Sequence, residues 1–204
     1  MNIGFIGTGL MGSPMIKNLL KSKHKISIFN RTLSKAKKLK KYGAYLSYTI
    51  EELVKDKEII ITMLTDDKAV NDIIRSKTFL NNVCKETTVI DMSSTKPSTA
   101  LDNYKKLKKR GVYFLDAPVS GGTKGAESAS LAIMVGGEKK IYKKNLKVLK
   151  MLGIPNYVGK PSSGQAAKLA NQIIVGITIG AVSEAIILSK NCLLYTSPSP
   201  RDQR

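Results

Sequence analysis

The sequence contains few of the residues that build disulfides, metal sites and histidine-based catalysis. Its 204 residues include two cysteines, one histidine and no tryptophan. Cys84 and Cys192 provide neither a disulfide framework nor the spacing of a zinc site. His24 lies between a predicted helix and a predicted strand, where a surface position is expected. We therefore predict no metal site and no catalytic triad built on histidine.

Acidic residues are also scarce, since 15 Asp and Glu face 34 Lys and Arg, for a net charge of +19. Nucleic-acid binding would favour clustered basic residues interleaved with aromatics, but the lysines are spread over nearly every predicted helix and aromatics make up 6%. Residues 35–41, the best basic run, have few of the large apolar anchors of a membrane-surface helix. We predict a lysine-rich solvated surface that favours small anionic ligands, with no nucleic-acid or membrane partner.

Long apolar segments are rare as well. The N-terminus lacks the basic and then apolar stretch of a secretory signal, so we expect a cytoplasmic location. The longest apolar run, Ile173 to Leu188, is interrupted by Ser183 and Glu184 and is shorter than a membrane span requires. We interpret it as a buried helix.

Short apolar runs alternate with segments of helical periodicity between Asn2 and Leu152. This alternation predicts an α/β fold with a mostly parallel sheet and helices on both faces, which binds ligands at the carboxyl ends of its strands. The predicted strands are Asn2–Ile6, Ile26–Phe29, Glu58–Met63, Thr88–Asp91, Tyr113–Asp116 and Leu131–Val135. The predicted helices are Leu10–Leu20, Ser34 to near Gly43, Thr49–Val54, Asp66–Arg75, Ser98–Lys109 and Glu138–Leu152.

The pattern changes after residue 162. Residues 163–191 have helical character without a strand signal and predict the first long helix of an all-α second domain, after an α/β domain over residues 1–162. Residues 192–204, CLLYTSPSPRDQR, break the helix with two prolines. They resemble a translated adapter from a sequencing library, so we expect a truncated chain with a foreign tail. A disordered tail is the alternative.

A glycine motif, Gly7–Gly12, follows the first predicted strand and opens the first helix. In this setting Gly7 permits a tight turn, Gly9 lets the backbone approach a pyrophosphate, and Gly12 allows close packing of helix and strand. The helix N-terminus adds free N–H groups for the phosphates. The motif predicts a Rossmann-type dinucleotide site, with a glycine-rich turn that binds nothing as the alternative.

The end of the second predicted strand has no acidic residue. The sequence there is Asn30-Arg31-Thr32, whereas NAD-binding domains often place a carboxylate at this point to hold the ribose 2′-hydroxyl. Arg31, with Lys35 close by, suits a 2′-phosphate. The pattern favours NADP, and NAD stays possible if Arg31 is only solvated.

Two later motifs contain further candidate side chains. In Asp116–Gly122, a serine hydroxyl and two glycine N–H groups could bind a carboxylate, although the motif could equally be a structural turn. In Gly164–Gln172, a lysine and two amides share one helix face. Partial desolvation could fit Lys168 for acid/base work, but composition alone favours a solvated lysine.

Taken in order, the segments GFIGTGLMG, ITML (residues 61–64), DMSST (91–95), DAPVSGG and GQAAKLANQ resemble the β-hydroxyacid dehydrogenase family, from Met1 to about Asn191. This family includes 3-hydroxyisobutyrate dehydrogenase, tartronate semialdehyde reductase and the glyoxylate/succinic semialdehyde reductases. The resemblance implies an NAD(P)-dependent oxidoreductase that interconverts a small hydroxy acid and its aldehyde or keto acid. It also implies a homo-oligomeric full-length form whose second domain is mostly absent here. We therefore expect this chain to bind cofactor but to turn over poorly, and residues 165–189 to expose an apolar face meant for a partner.

The resemblance also implies roles for individual residues. Lys168 would be the catalytic acid/base, and substrate would contact Ser120, Gly121, Gly122, Asn171 and Gln172. The cofactor would contact Gly7, Thr8, Gly9, Leu10, Met11, Gly12, Asn30, Arg31, Thr32, Met63, Leu64 and Thr95. The Asn171–Gln172 pair looks like the tartronate semialdehyde branch, whereas NRTLSK at residues 30–35 looks like the NADPH-using semialdehyde reductases, so the substrate stays open. A non-catalytic nucleotide-binding or redox-sensing module is the competing interpretation.

Overall fold

The computed structural model describes residues 1–192, so the predicted tail lies outside the described residues apart from Cys192. Contacts divide the chain into a first unit, Met1–Lys168, and a second that begins at Leu169. The domain bounds given above stay a prediction.

One sheet organises the first unit. Its strands are β1 Asn2–Ile6, β2 Lys25–Phe29, β3 Tyr45–Leu46, β4 Ile59–Thr62, β5 Thr88–Asp91, β6 Tyr113–Asp116, β7 Val119–Ser120, β8 Leu131–Gly137 and β9 Gly153–Gly159. In the described residues the strand order is β3-β2-β1-β4-β5-β6-β8-β7, with β9 paired to β8. All pairs from β3 to β6 are parallel, and β8 runs antiparallel to β6 and β7. The predicted mostly parallel sheet is confirmed.

Helices connect the strands. The predicted lysine-rich helix from Ser34 is two elements, a short α-helix and a 3₁₀ turn at Lys40–Tyr42 that ends at Gly43 with φ of 97°. The long C-terminal helix is confirmed. The helices are α1 Gly12–Leu20, α2 Leu33–Lys37, α3 Ile50–Val54, α4 Asp67–Ile74, α5 Lys77–Asn82, α6 Pro97–Lys108, α7 Gly122–Glu127, α8 Lys139–Lys150 and α9 Ser163–Asn191.

The core lies on both faces of the sheet. On β4, Ile59 and Ile61 join the apolar cluster on one face, while Ile60 joins the cluster on the other. All three side chains are buried, as expected for a central parallel strand covered by helices on both sides. This packing fixes the carboxyl ends of β1, β4, β5 and β6 at one edge, where the candidate site lies.

The prediction that Ile173–Leu188 is buried is wrong. These apolar side chains are exposed, with Ile174 at 66% and Leu188 at 64% of full exposure. The reason is geometric, since one helix cannot bury its own faces and the described part of the second unit consists of α9. By length and composition alone, Ser163–Asn191 could cross a membrane. The argument that this segment is too short to span therefore fails, although length and composition are weak evidence for a span.

Candidate functional site

The glycine turn between β1 and α1 needs its glycines. Gly7 has φ of 104°, and a Cβ there would collide with the carbonyl oxygen of Met63. A Cβ on Gly12 would collide with the carbonyl oxygen of Gly7. At Gly9, by contrast, a Cβ would meet no atom within 4 Å. The turn therefore packs tightly on the protein side and leaves an open approach to the backbone at Gly9, which fits a dinucleotide pyrophosphate.

Asn30 connects this turn to the end of β2. The Thr8 N–H donates to Asn30 Oδ1 at 3.0 Å, and Asn30 Nδ2 donates to the Thr32 carbonyl at 2.9 Å. Within the described chain, the buried Thr8 Oγ1 has no hydrogen-bond partner and is available to a ligand. Asn30 thus braces the backbone of the turn, while Arg31 and Thr32 are exposed beside it.

A basic depression opens beside the glycine turn, between α1 and α2. Its volume is about 740 Å³. Arg31 is not among the residues that line it, whereas Lys35 is. The positive charge and the free backbone at Gly9 suit a ligand with phosphate groups. The depression is lined by Thr8, Gly9, Leu10, Ser13, Pro14, Asn18, Leu39, Tyr42 and Glu127, with Lys17, Lys21, Lys35, Lys38 and Lys41.

The half-buried Met63 and Leu64 follow β4 at the same edge of the sheet, and Met11 is half-buried in the glycine motif. The Leu64 N–H donates to Ser93 Oγ at 2.9 Å, which links the ends of β4 and β5. Thr95 lies two residues beyond Ser93 and is buried. Its Oγ1 forms no hydrogen bond with any described residue. The residues expected beside the nicotinamide therefore lie on neighbouring strand ends.

The serine and glycines of the DAPVSGG motif lie at the start of α7. Ser120 is half-buried at the end of β7, and Gly121 and Gly122 are exposed. Gly121 and Gly122 have φ values of 131° and 60°, so both use backbone conformations that other residues rarely adopt. The geometry leaves this backbone accessible to a small carboxylate.

Lys168 is buried, with 9% of its surface exposed. The expectation of a solvated lysine is wrong, because α9 packs its first turn onto the strand ends of the first unit. Burial lowers the pKa of the Lys168 ammonium below its ordinary value. A largely buried lysine with a lowered pKa suits proton transfer.

Asn171 and Gln172 belong to the second unit. Asn171 is half-buried and Gln172 is exposed. Asn171 Nδ2 donates to Gln172 Oε1 at 3.4 Å, which is long for a hydrogen bond between two amides. Their roles in substrate binding stay a prediction.

Four buried polar residues at this edge, Asp91, Ser93, Asp116 and Gln165, were not predicted from the sequence as site residues. Ser93 N–H and Thr62 Oγ1 donate to Asp91 Oδ1 at 3.1 and 2.8 Å. Burial raises the pKa of the Asp91 and Asp116 carboxyls to about 6. Gln165 could have been found from its position, since it precedes Lys168 by three residues and shares its helix face.

The first unit thus brings together the glycine turn, Met63, Leu64, Thr95 and Lys168 at the carboxyl edge of one sheet. In the part of the chain that the structure describes, no cluster of three or more His, Cys, Asp or Glu could hold a metal ion.

Comparison with known proteins agrees with this arrangement. Residues 2–159 match the family model described as the NAD binding domain of 6-phosphogluconate dehydrogenase. The mitochondrial 3-hydroxyisobutyrate dehydrogenase of Drosophila melanogaster is 38% identical, over 92% of this chain and 58% of that protein. The 2-hydroxy-3-oxopropionate reductase of Escherichia coli is 36% identical, over 93% of this chain and 65% of that protein. The chain thus spans less than two thirds of the length of these curated relatives.

A solved structure is similar over nearly the whole chain. The 3-hydroxyisobutyrate dehydrogenase of Mycobacterium tuberculosis, solved with L-serine, superposes with a TM-score of 0.91 at 31% identity. The match covers 96% of this chain and 67% of that one.

Proposed function

Because the chain belongs to the β-hydroxyacid dehydrogenase family, we propose that it is the nucleotide-binding part of an oxidoreductase that interconverts a small hydroxy acid and its aldehyde or keto acid. The observation that carries the proposal is the buried Lys168 at the same sheet edge as the open glycine turn. A nucleotide-binding module without catalysis has no need of a largely buried lysine with a lowered pKa at that edge.

A bound nicotinamide dinucleotide supplies or accepts the hydride. The protein's own part in reduction is to hold the substrate carboxylate at Ser120, Gly121 and Gly122, and to donate a proton from Lys168 Nζ to the carbonyl oxygen. The lowered pKa of Lys168 brings its ammonium closer to the strength of acid that such a transfer needs near neutral pH. Asn171 and Gln172 orient the lysine or the substrate.

We propose a preference for NADPH over NADH. Three features support it: no carboxylate follows β2, Arg31 is exposed beside the turn, and Lys35 lines the basic depression. Guanidinium and ammonium groups stabilise a 2′-phosphate by charge-assisted hydrogen bonds, and no acidic residue directly after β2 repels it.

The substrate class proposed is a small anionic aldehyde or keto acid, with tartronate semialdehyde, glyoxylate, succinic semialdehyde and the 3-hydroxyisobutyrate pair as candidates. The homo-oligomeric full-length form and the cytoplasmic location stay predictions.

The test is oxidation of NADPH by the chain against a panel of these acids, with NADH in parallel, and with Lys168→Ala as the variant. We expect slow turnover with at least one acid, because the chain spans less than two thirds of its relatives' length. In Lys168→Ala we expect the turnover to fall about 100-fold or more and the NADPH affinity to stay unchanged. Cofactor binding without turnover on any acid would instead favour the non-catalytic module. The exposed Asp72→Asn is the control for handling and concentration.

A further inference from the structure

Asp116 lies at the N-terminus of the helix that carries Lys168. Its carboxylate is fully buried at the end of β6 and accepts two backbone hydrogen bonds from the start of α9. The Ser162 N–H donates to Oδ1 at 2.9 Å and the Gln165 N–H donates to Oδ2 at 3.0 Å. These N–H groups belong to the set that a helix cannot satisfy internally, so the carboxylate caps α9 from another element.

Gln165 makes a second attachment of the same helical turn. Its Nε2 donates to the Ser93 carbonyl at 2.8 Å, and its Oε1 accepts the Thr95 N–H at 3.0 Å. The first turn of α9 is therefore bonded to the ends of both β5 and β6. Lys168 follows Gln165 by three residues on the same helix face, so these bonds fix where its side chain enters the site.

Two glycines beside Asp116 allow its carboxylate to approach the N-terminus of α9 closely. A Cβ on Gly136 would lie 2.6 Å from Asp116 Oδ1, and one on Gly164 would collide with the Met134 carbonyl oxygen. Two glycines without side chains thus allow the carboxylate, β8 and the helix terminus to approach closely. The negative charge also faces the positive end of the helix dipole.

On these grounds we propose that Asp116 is a positioning residue that caps α9 and thereby sets the location and burial of Lys168. This inference rests on the proposed acid/base role of Lys168, but the capping itself can be measured without activity. It differs from a substrate-binding role, since both Asp116 oxygens are occupied by backbone N–H groups.

The experiment compares wild type, Asp116→Asn and the exposed control Asp72→Asn. The asparagine replaces one acceptor oxygen with an NH₂ group that would face a backbone N–H. By hydrogen exchange, we expect residues 160–168 to exchange about 10-fold faster or more in Asp116→Asn, with β1 and β4 unchanged. Equal protection of residues 160–168 in Asp116→Asn and wild type would overturn the proposal.

The kinetic measurements use as substrate the aldehyde or keto acid that the wild-type protein reduces. We expect kcat of Asp116→Asn to fall about 10- to 100-fold while the Kd for NADPH changes less than about twofold. The limb of the pH–kcat profile assigned to Lys168 should move to higher pH as water reaches the amine, an effect that simple loss of stability would not produce. An unmoved profile with wild-type kcat contradicts the positioning role.

A second variant covers the case in which Asp116→Asn does not fold. Gly164→Ala keeps the carboxylate but pushes the helix terminus away from β8, and we expect the same faster exchange of residues 160–168. Unchanged exchange in that variant counts against the proposal. If wild type itself reduces no acid, the proposed function fails, while the exchange arm still decides whether Asp116 caps α9.

Discussion

At the residue scale, two neighbouring residues at the end of β2 have different roles, although the sequence suggested a single cofactor-binding role for both. Asn30 is bonded to the Thr8 N–H and the Thr32 carbonyl, so its side chain shapes the glycine turn. Arg31 is exposed and makes no hydrogen bond with another described residue. The structure therefore predicts that Asn30 serves any dinucleotide, whereas Arg31 serves only one with a 2′-phosphate.

Substitution of these neighbours should separate the two tasks. We expect Arg31→Ala to weaken NADPH binding about 10-fold and to leave NADH binding unchanged, because a charge-assisted contact is removed. Asn30→Ala should weaken both cofactors alike and destabilise the fold by about 1–3 kcal/mol, since the Thr8 N–H loses its partner. Fluorescence titration with both cofactors and urea unfolding measure these effects. Equal losses of NADPH and NADH in Arg31→Ala would reject the 2′-phosphate role.

At the element scale, the sequence predicted the strands that follow simple rules. β1, β5 and β6 agree with their predicted bounds because they are short runs rich in apolar residues that pair in parallel with at least one neighbouring strand. β9 was missed because Pro155 and Asn156 disfavour strands, yet a proline is tolerated in a strand that pairs on one side. The two-residue β3 and β7 are too brief for a periodic signal. The helices α5 and α7 were missed because their sequences, KTFLNN and GTKGAE, lack apolar residues at helical spacing.

The candidate site also has one part that could be predicted from the sequence and one that could not. The glycine turn could be predicted because Gly7 and Gly12 each meet a local steric demand, while Gly9 leaves the backbone open to a ligand. The cap on α9 could not, because Asp116 and Ser162 are 46 positions apart and only the sheet topology brings them together. The burial of Lys168 follows from that contact, and composition around the lysine therefore pointed the wrong way.

The buried carboxylates at the ends of β5 and β6 make stability depend on pH. Desolvation raises the pKa of Asp91 in the folded state from 3.8 to about 6. The folded state therefore binds this proton more tightly than the unfolded state, and stability should fall as pH rises from about 4 to about 6. Above about pH 6, the contribution of Asp91 to the free energy of unfolding no longer changes with pH.

Asp91→Asn should reduce this slope. Urea unfolding between pH 4 and 7 should show a smaller decline than wild type, because the group that ionises in the fold is gone. Asp116 ionises in the same range and should keep part of the slope. Asp102→Asn, at an exposed carboxylate on α6, is the control and should retain the wild-type decline. A wild-type slope in Asp91→Asn would count against this source of the pH dependence.

At the scale of the whole molecule, the two units differ in how far their apolar side chains are buried. The first unit buries its isoleucines on both faces of the sheet, whereas α9 exposes a series of them from Ile173 onward. Apolar residues occupy several faces of α9, so no rotation of the helix hides them all. A continuous exposed apolar surface of this kind favours association.

The chain should therefore self-associate through α9, despite a charge of +19 that opposes association at low salt. In sedimentation velocity we expect the weight-average mass to rise with protein concentration, and to rise further with added salt, because salt screens the charge and leaves the apolar attraction. Replacing Ile174, Ile177 and Ile187 with lysine should shift the distribution towards monomer. The matched control replaces three exposed lysines of α8 with glutamine, which lowers the repulsion and should increase association. A monomer at all concentrations and salts would show that the exposed face of α9 does not drive self-association.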